Sequence, residues 1–331
     1  RSHSIDEIKG GLQQIVASTS VPYQVSVTQP DDNKKYLPET DTLDTWFSSS
    51  QWPVVTLKTN QSHDFDTFYP TSVMETAYDI LPFWVMRMML LGIYLTGKSP
   101  FSIVYLHGLI RDQKGQKMSK SKGNVVNPLE VVDKYGADAL RMALIIRSTP
   151  GLDKSVSDGD FKAMRNFANK IWNAARFVQL AHNNDINSDK SINISNYPPQ
   201  SNLNTRAESA ANQQSLHNND VQKNSGDTNL DISTNKRLAE IVTTVTKNLH
   251  KNQLGVAADT VYNEFWHWYC DQCIEEAKQG KISIKVMTNG LIVFLKLIHP
   301  FMPFVTEAVW QELYLKQIVK SRLLMGSSWP K

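Results

Sequence analysis

Between Pro70 and Leu106 two short strand-like runs flank one longer apolar run, and that spacing restricts what the chain can fold into. Pro70-Thr71-Ser72-Val73-Met74-Glu75-Thr76 reads as a strand, and Ile103-Val104-Tyr105-Leu106 reads as another. Ile80 to about Leu95 reads as a helix that Asp79 can cap and Gly97 can end, with Pro82 tolerated in its first turn. Strand, helix and strand within ~35 residues make one βαβ crossover of an α/β sheet. In such sheets ligands sit beyond the carboxyl ends of the strands. Asp79 and the residues just after Leu106 therefore lie at the ligand edge.

The next loop in the chain is Gly115-Gln116-Lys117-Met118-Ser119-Lys120-Ser121-Lys122-Gly123-Asn124. Lysines this dense, on a loop that Gly115 and Gly123 leave free to move, suit a polyanion such as a nucleotide triphosphate. A solvated basic turn has the same composition. No G-x-x-x-x-G-K-[ST] surrounds the loop, so it is not a Walker phosphate loop. Downstream, Asn127-Pro128-Leu129-Glu130 is a helix start with Asn as cap, Pro at the first position and Glu to close a capping box. Gly136 stops that helix. Asp138 opens another, which runs to Ile146.

Past Pro150-Gly151 the pattern turns helical: Phe161, Met164, Ala168, Ile171 and Ala175 recur at helical spacing. From about 183 to 235 Asn, Ser, Asp and Gln dominate, and such a stretch buries too little to offset its ordering entropy, so it reads as a flexible insertion. Helical patterns then resume to about Ile318. The expected organisation is a poorly assigned 1–40, an α/β part over 41–150 and an all-α part over 151–331. Gln24-Val25-Ser26-Val27-Thr28 is a possible strand in the first of these.

Composition narrows the function. With 331 residues, 41% hydrophobic and 20% charged, the chain can fold into two domains. A net charge of +3 does not by itself imply a polyanion partner, so nucleic-acid binding must rest on a local patch. Cys270 and Cys273 have C-x-x-C spacing, yet no second Cys pair completes four metal ligands, and the surrounding Trp266-His267-Trp268-Tyr269 looks helical; they read as packed, reduced thiols. Arg1 to Lys9 is polar and charged, unlike a signal peptide. The longest apolar run, Ile80 to Leu95, carries Arg87 and falls short of the ~20 residues of a membrane span, so it reads as a core helix in a cytoplasmic protein.

Lys117-Met118-Ser119-Lys120-Ser121 behind a strand, with Lys-Gly-Asn-Val-Val-Asn-Pro after it, resembles the ATP-binding loop of class I aminoacyl-tRNA synthetases. Asp-Thr-Trp-Phe-Ser-Ser at 44–49 and Tyr-Asp-Ile-Leu-Pro-Phe-Trp at 78–84 are similar to the valyl branch of that family. The resemblance covers most of Lys35 to Lys331 except the Asn/Ser-rich insertion. It implies the second half of a Rossmann-like catalytic domain followed by an all-α anticodon-binding helical bundle.

By the same resemblance, Lys117 and Lys120 are the catalytic pair, stabilising pyrophosphate as the amino acid's carboxylate attacks the α-phosphate of ATP. Lys117, Met118, Ser119, Lys120, Ser121, His107, Gly108 and Asp79 would hold the ATP, with Mg2+ on its phosphates. Gly108, lacking a side chain, would let adenosine approach. Trp46, Asp79 and Ile80 would face valine. Read without the family, His107 is a satisfied strand-end histidine, Asp79 a helix cap, and Ile80 and Trp46 core. The family usually has glycine where Ala77 stands, which bears on close backbone approach to the nucleotide. Asn166–Phe177, Glu264–Tyr269, His299–Glu307 and Ser328-Trp329-Pro330 are similar to the family's anticodon-binding domain. Most of those residues read as core, and Arg165, Lys170 and Arg176 as phosphate contacts for tRNA(Val).

The family's His-x-Gly-His motif, which grips the ATP phosphates, is missing from these 331 residues, as are its inserted hydrolytic domain and C-terminal helical arm. The chain therefore reads as a C-terminal portion that needs an N-terminal half as partner and is poor in aminoacylation alone, since orientation accounts for ~7–11 kcal/mol of a barrier. The alternatives are an isoleucyl or leucyl relative and, from another class, a non-catalytic tRNA-binding module.

Overall fold

The computed structural model describes residues 33–34, 43–187 and 229–331, the side chains of Lys120 and of residues 183–187 excepted. The expected strand at Gln24–Thr28 and residues 188–228 of the expected insertion lie outside the described residues. The chain divides into two units, Arg1–Thr45 and Trp46–Lys331, and the second carries nearly all of the described architecture.

Three short helices, α1 (Thr45–Ser50), α2 (Trp52–Thr59) and α3 (Asp64–Phe68), lead into strand β1 (Thr71–Ala77). Helix α4 (Met86–Thr96) comes after it, then β2 (Phe101–His107). The two strands pair in parallel, Thr71 opposite Phe101 through to Ala77 opposite His107, which is the expected βαβ crossover. A second parallel pair joins β3 (Ile110–Arg111) to β4 (Lys154–Ser155).

The entry to α4 differs from the expected helix start. A 3-10 turn at Tyr78–Ile80 and a π turn at Leu81–Val85 precede it, and Asp79 makes no capping hydrogen bond. Pro82 sits in the first turn of the π segment, where its missing N–H breaks no intrahelical bond. The carboxylate of Asp79 is not engaged in capping and stays exposed.

Helix α4 is also not the core helix that its apolar sequence suggested. Val85, Met88 and Phe101 form a small buried cluster with Met74, Trp84 and Val104 against it. Met86, Met89, Leu90, Ile93, Tyr94 and Leu95 are exposed, as are Val73 and Ile103 on the strands. A sheet two strands wide covers only a narrow stripe of a crossover helix, whereas parallel sheets ordinarily carry cover on both faces. Counted from Tyr78 to Thr96 the apolar helical stretch spans 19 residues, enough by length and composition to cross a membrane, so the expected shortfall does not hold. Its place between two paired strands makes it the crossover of an α/β unit.

The remaining helices share one core. These are α5 (Pro128–Tyr135), α6 (Ala137–Ile145), α7 (Asp158–Asn187), α8 (Asn229–His250) and α9 (Leu254–Asn263); a π-helical segment Glu264–Cys273; then α10 (Ile274–Lys278), α11 (Ile284–Ile298) and α12 (Pro303–Leu315). Buried residues from Val131 to Leu324 form one cluster, with Phe167, Ile171, Phe265, Leu291 and Phe294 fully enclosed. Val131, Ala139, Met142 and Ile146 belong to it, so α5 and α6 pack with the bundle although they precede residue 150. Asp138 does not serve its own helix: it is buried and accepts from the backbone N–H groups of Phe304 (3.1 Å) and Val305 (2.6 Å) at the start of α12. Asn127 caps α5 by accepting from Leu129 N (3.1 Å), and Glu130 bonds the Asn127 side-chain amide (3.1 Å).

The expected insertion is also narrower than its composition implied. Asn229–Asn235 forms the first turns of α8, because Asp231 is buried and accepts from Ser283 N at 2.9 Å. Cys270 and Cys273 are buried in the π-helical segment, and burial pushes both thiols up to about 12, far from reactive thiolates.

Candidate functional site

At the carboxyl end of β1 the chain turns sharply, and the 3-10 turn presents Asp79 to solvent. Across from it stands the lysine loop: Lys117 Nζ lies 4.0 Å from Asp79 Oδ2. Trp46 of α1 packs on Phe83 of the π turn, ring centroids 5.7 Å apart, and Trp84 Nε1 donates to Ser49 O (3.2 Å). Helix α1 is thus tied to the turn that carries Asp79 and Ile80. Trp46 and Ile80 are half-buried, so each keeps one face available. The structure brings Lys117 to Asp79, and Trp46 to the turn that follows Asp79. Lys120 lies in the same loop, within a 3-10 turn at Lys120–Lys122.

The loop is more structured than a run between two glycine pivots. Arg111 and Lys117 form an antiparallel bridge, and Asp112 N donates to Gln116 O (3.0 Å). Gly115, at φ 74°, occupies the tight turn of this small hairpin, and its N–H donates to Asp112 O (2.9 Å). Its positive φ serves that turn and leaves it no freedom as a hinge. Gly123, at φ 64°, ends the 3-10 turn. Lys117 therefore sits at the base of a closed hairpin, and Met118 to Gly123 continues beyond it.

Two polar networks that the sequence did not reveal hold this edge together. In one, Asp153 accepts from Leu109 N (2.8 Å) and from Arg111 Nε and Nη2 (both 2.5 Å), and Arg111 Nη1 reaches Gly115 O (3.2 Å). The Leu109 amide, then the Arg111 guanidinium, hold the Asp153 carboxyl below its ordinary range. In the other, Asp112 accepts from Asn124 Nδ2 (2.8 Å), Gln116 N (2.8 Å) and Lys114 N (2.9 Å). Asn124 is the first cause of the lowered Asp112 pKa. Neither network could be read from the sequence, because 42 residues separate Arg111 from Asp153 and no motif spacing joins them.

His107 ends β2 with partners on both ring nitrogens: Nε2 is 3.3 Å from Glu75 Oε1, and Nδ1 is 2.9 Å from Gly108 O. Both partners are acceptors, so a neutral ring donates to one of them and leaves the other nitrogen facing an oxygen. Gly108 has a different neighbour from the expected adenosine. A Cβ built on it would lie 1.7 Å from Leu152 O and 2.7 Å from Asp153 N. Protein backbone already occupies the space that the missing side chain leaves.

On the bundle, Arg165 and Arg176 are exposed on α7 and eleven residues apart, hence on one face about 16 Å apart along the axis. Trp172, expected as core, stands between them and is 40% exposed. Lys170 is engaged elsewhere: its Nζ pairs with Asp271 Oδ1 at 2.9 Å and lies over the Trp266 ring at 5.2 Å. A lysine in an ion pair and over an indole face is a poor phosphate contact, so the basic face reduces to the two arginines.

Comparisons with known proteins bear on this arrangement. Residues 5–157 match the family model for class I tRNA synthetases (I, L, M and V), and residues 231–331 match that for the anticodon-binding domain of tRNA ligase. The chain is 38% identical over 310 residues to the valine–tRNA ligase of Clostridium tetani, covering 90% of this chain and 31% of that protein. It is 38% identical over 315 residues to that of Staphylococcus saprophyticus, covering 92% and 32%. The chain thus spans under a third of the length of these curated relatives. Among solved structures it is similar to the LeuRS–tRNA–LeuAMS ternary complex of Agrobacterium radiobacter K84, with TM-score 0.66 and 20% identity over 91% of this chain and 34% of that one. It is also similar to methionyl-tRNA synthetase of Mycobacterium tuberculosis with methionyl-adenylate, with TM-score 0.57 and 18% identity over 81% and 49%. These last two likenesses establish the shared fold.

Proposed function

The chain belongs to the class I tRNA synthetases, and on that premise we propose that its chemistry is that of a valine–tRNA ligase: ATP-dependent activation of valine and its transfer to tRNA(Val). The observation that carries this is the Lys117 ammonium 4.0 Å from the Asp79 carboxylate at the carboxyl edge of β1; Trp46 packs on Phe83 of the π turn that follows Asp79 and Ile80. Similarity to valine–tRNA ligases supports the choice of amino acid.

In this reaction the Asp79 carboxylate receives the α-ammonium of valine, while Trp46 and Ile80 supply apolar surface for its isopropyl group. The valine carboxylate attacks the α-phosphate of ATP, forming the acyl-phosphate bond and breaking the bond to pyrophosphate. Negative charge grows on the leaving oxygens, and Lys117 and Lys120 stabilise it more in the transition state than in the ground state. Mg2+ comes bound to the ATP phosphates; among the described residues no group of three or more His, Cys, Asp or Glu is placed to hold a metal ion. The family's reaction also draws on a His-x-Gly-His-type element, so activity is measured in an enzyme complemented with one. Arg165 and Arg176 contact tRNA phosphates, and the compartment is the cytoplasm.

Retention on immobilised ATP tests the assignment. Wild type is expected to be retained and the Lys117→Ala/Lys120→Ala variant lost; equal retention overturns the catalytic-loop reading. In the complemented enzyme, pyrophosphate exchange is expected to depend on valine over isoleucine and leucine. Lys117→Ala is expected to lower its rate by about 10²–10³, the usual effect of deleting one preorganised charge stabiliser. A second reading, a tRNA-binding module without catalysis, is favoured by the exposed Arg165, Trp172 and Arg176 on one face of α7; it requires salt-sensitive tRNA binding with no affinity for ATP.

A further inference from the structure

We propose that Asn124, braced by Asp112, is the positioning residue of the lysine loop: its side-chain amide fixes where the Met118–Gly123 segment stands relative to Lys117. The inference deepens the ATP-loop reading and rests on that reading only for its nucleotide arm.

Asn124 uses both ends of its amide. Oδ1 accepts from Ser119 N at 2.9 Å, on the far side of the segment. Nδ2 donates to Asp112 Oδ2 at 2.8 Å and reaches Lys117 O at 3.4 Å, on the hairpin side. Asp112 is itself held, since its Oδ1 accepts from Lys114 N and Gln116 N. One half-buried side chain thus connects the Met118–Gly123 segment to the closed hairpin. Among the described side chains, the other bonds inside the segment are local, Lys122 N to Ser119 O at 3.2 Å and Ser119 Oγ to Ser121 Oγ at 3.2 Å, and these do not tie it to the hairpin.

The chemistry requires an amide at 124. A carboxylate there could accept from Ser119 N but could not donate to Asp112, and two carboxylates would then face each other. Exchanging the pair restores the bonds to Ser119 N and between positions 112 and 124, losing only the long one to Lys117 O: Asn at 112 keeps an oxygen for Lys114 N and Gln116 N and turns its NH2 toward an Asp at 124, which still accepts from Ser119 N. A residue that merely fills space has no such rescue.

Trypsin cleavage of the native full chain after the loop lysines, mapped by mass spectrometry, is the test, with the thermal midpoint recorded for each variant. Asn124→Ala is expected to raise loop cleavage about tenfold while the midpoint stays within about 2 °C, as loss of two net hydrogen bonds confined to a locally opening segment implies. Asn124→Asp is expected to match or exceed that rate. The Asp112→Asn/Asn124→Asp double variant is expected to return to within about threefold of wild type, the coupling such a cycle isolates. Unchanged cleavage in Asn124→Ala, or a double variant no better protected than Asn124→Asp, overturns the proposal. So does cleavage that rises equally across the whole chain. In the nucleotide arm, ATP is expected to protect the wild-type loop and to protect Asn124→Ala less. Failure of ATP to protect wild type sinks the nucleotide reading while the ATP-free series still decides the role of Asn124.

Discussion

Substituting Gly108 with alanine separates two accounts of why glycine stands there. The new Cβ would lie 1.7 Å from Leu152 O and 2.1 Å from Leu152 C, both backbone atoms, so no side-chain rotation relieves the overlap. The 150–156 segment must move away by well over ~1 Å, since real Cβ contacts essentially never fall under 3.0 Å. It is zipped to β2 and β3 on both sides of the clash by Gly151 N to Leu106 O (2.8 Å), Lys154 N to Leu109 O (3.0 Å) and Val156 N to Arg111 O (3.1 Å). Overpacking typically costs about 1–3 kcal/mol, and each backbone bond broken adds about 1 kcal/mol net. A total near ~3 kcal/mol is expected, which for a body of this size lowers the thermal midpoint by roughly 6–12 °C. Amide exchange should accelerate in residues 106–111 and 150–156 and stay unchanged in α11. Because Asp153 moves with the segment, its bonds to Leu109 and Arg111 weaken, and the hairpin carrying Lys117 loosens. If Gly108→Ala unfolds within about 1 °C of wild type and loses only ATP binding, the backbone-contact account is wrong and the glycine serves the nucleotide directly.

Other perturbations draw on the same geometry. Asp138→Ala should lose about 1–2 kcal/mol by leaving the first N–H groups of α12 without acceptors; Asp138→Asn keeps one acceptor oxygen but turns its NH2 toward the other N–H, so it should not recover the wild-type value, as urea unfolding would show. Asp112, Asp153 and Asp158 all have lowered folded-state pKa values, the first cause being a hydrogen bond from Asn124, from the Leu109 amide and from Tyr135 respectively. The stability they contribute is present above the unfolded carboxylate value of about 4 and is lost as pH falls through the lower folded values. Thermal midpoints should therefore drop between about pH 5 and pH 3, and less steeply in Asp153→Asn. On α7, Arg165→Ala and Arg176→Ala should each reduce the slope of log K for tRNA against log salt by about 0.7–0.9, whereas Lys170→Ala, already paired with Asp271, should leave it unchanged. Trp172→Ala should weaken tRNA binding by about 1–3 kcal/mol if a base stacks on that ring.

Much of the site is legible without coordinates. The lysine motif, Asp79 and Trp46 are local signals with known partners in a family, and the βαβ spacing places two of the three at one sheet edge. The roles of Gly108 and Gly115 escape a sequence reading for a shared reason. Glycine signals close approach or positive φ, and its residue type does not say whether the neighbour is a ligand, a carbonyl or a turn. Lys170, expected to be free for a phosphate, is paired with Asp271, and Trp172, expected as core, is exposed, for a similar reason. Helical periodicity marks faces, yet which face meets a neighbour depends on where the Glu264–Cys273 segment packs, and that segment brings Asp271 to Lys170.

Periodicity, turn residues and one short motif are properties of neighbouring positions, so they determined the α/β crossover, the helical bundle, the basic loop and the family. Contacts between distant positions carry no such local record. Only the folded chain decided that Asp153 anchors Arg111, that Asp138 caps a helix 166 residues downstream, and that Asn124 closes the loop onto Asp112. Each depends on backbone segments brought together by burial elsewhere, where a polar group gains or loses a partner according to geometry that residue order does not encode.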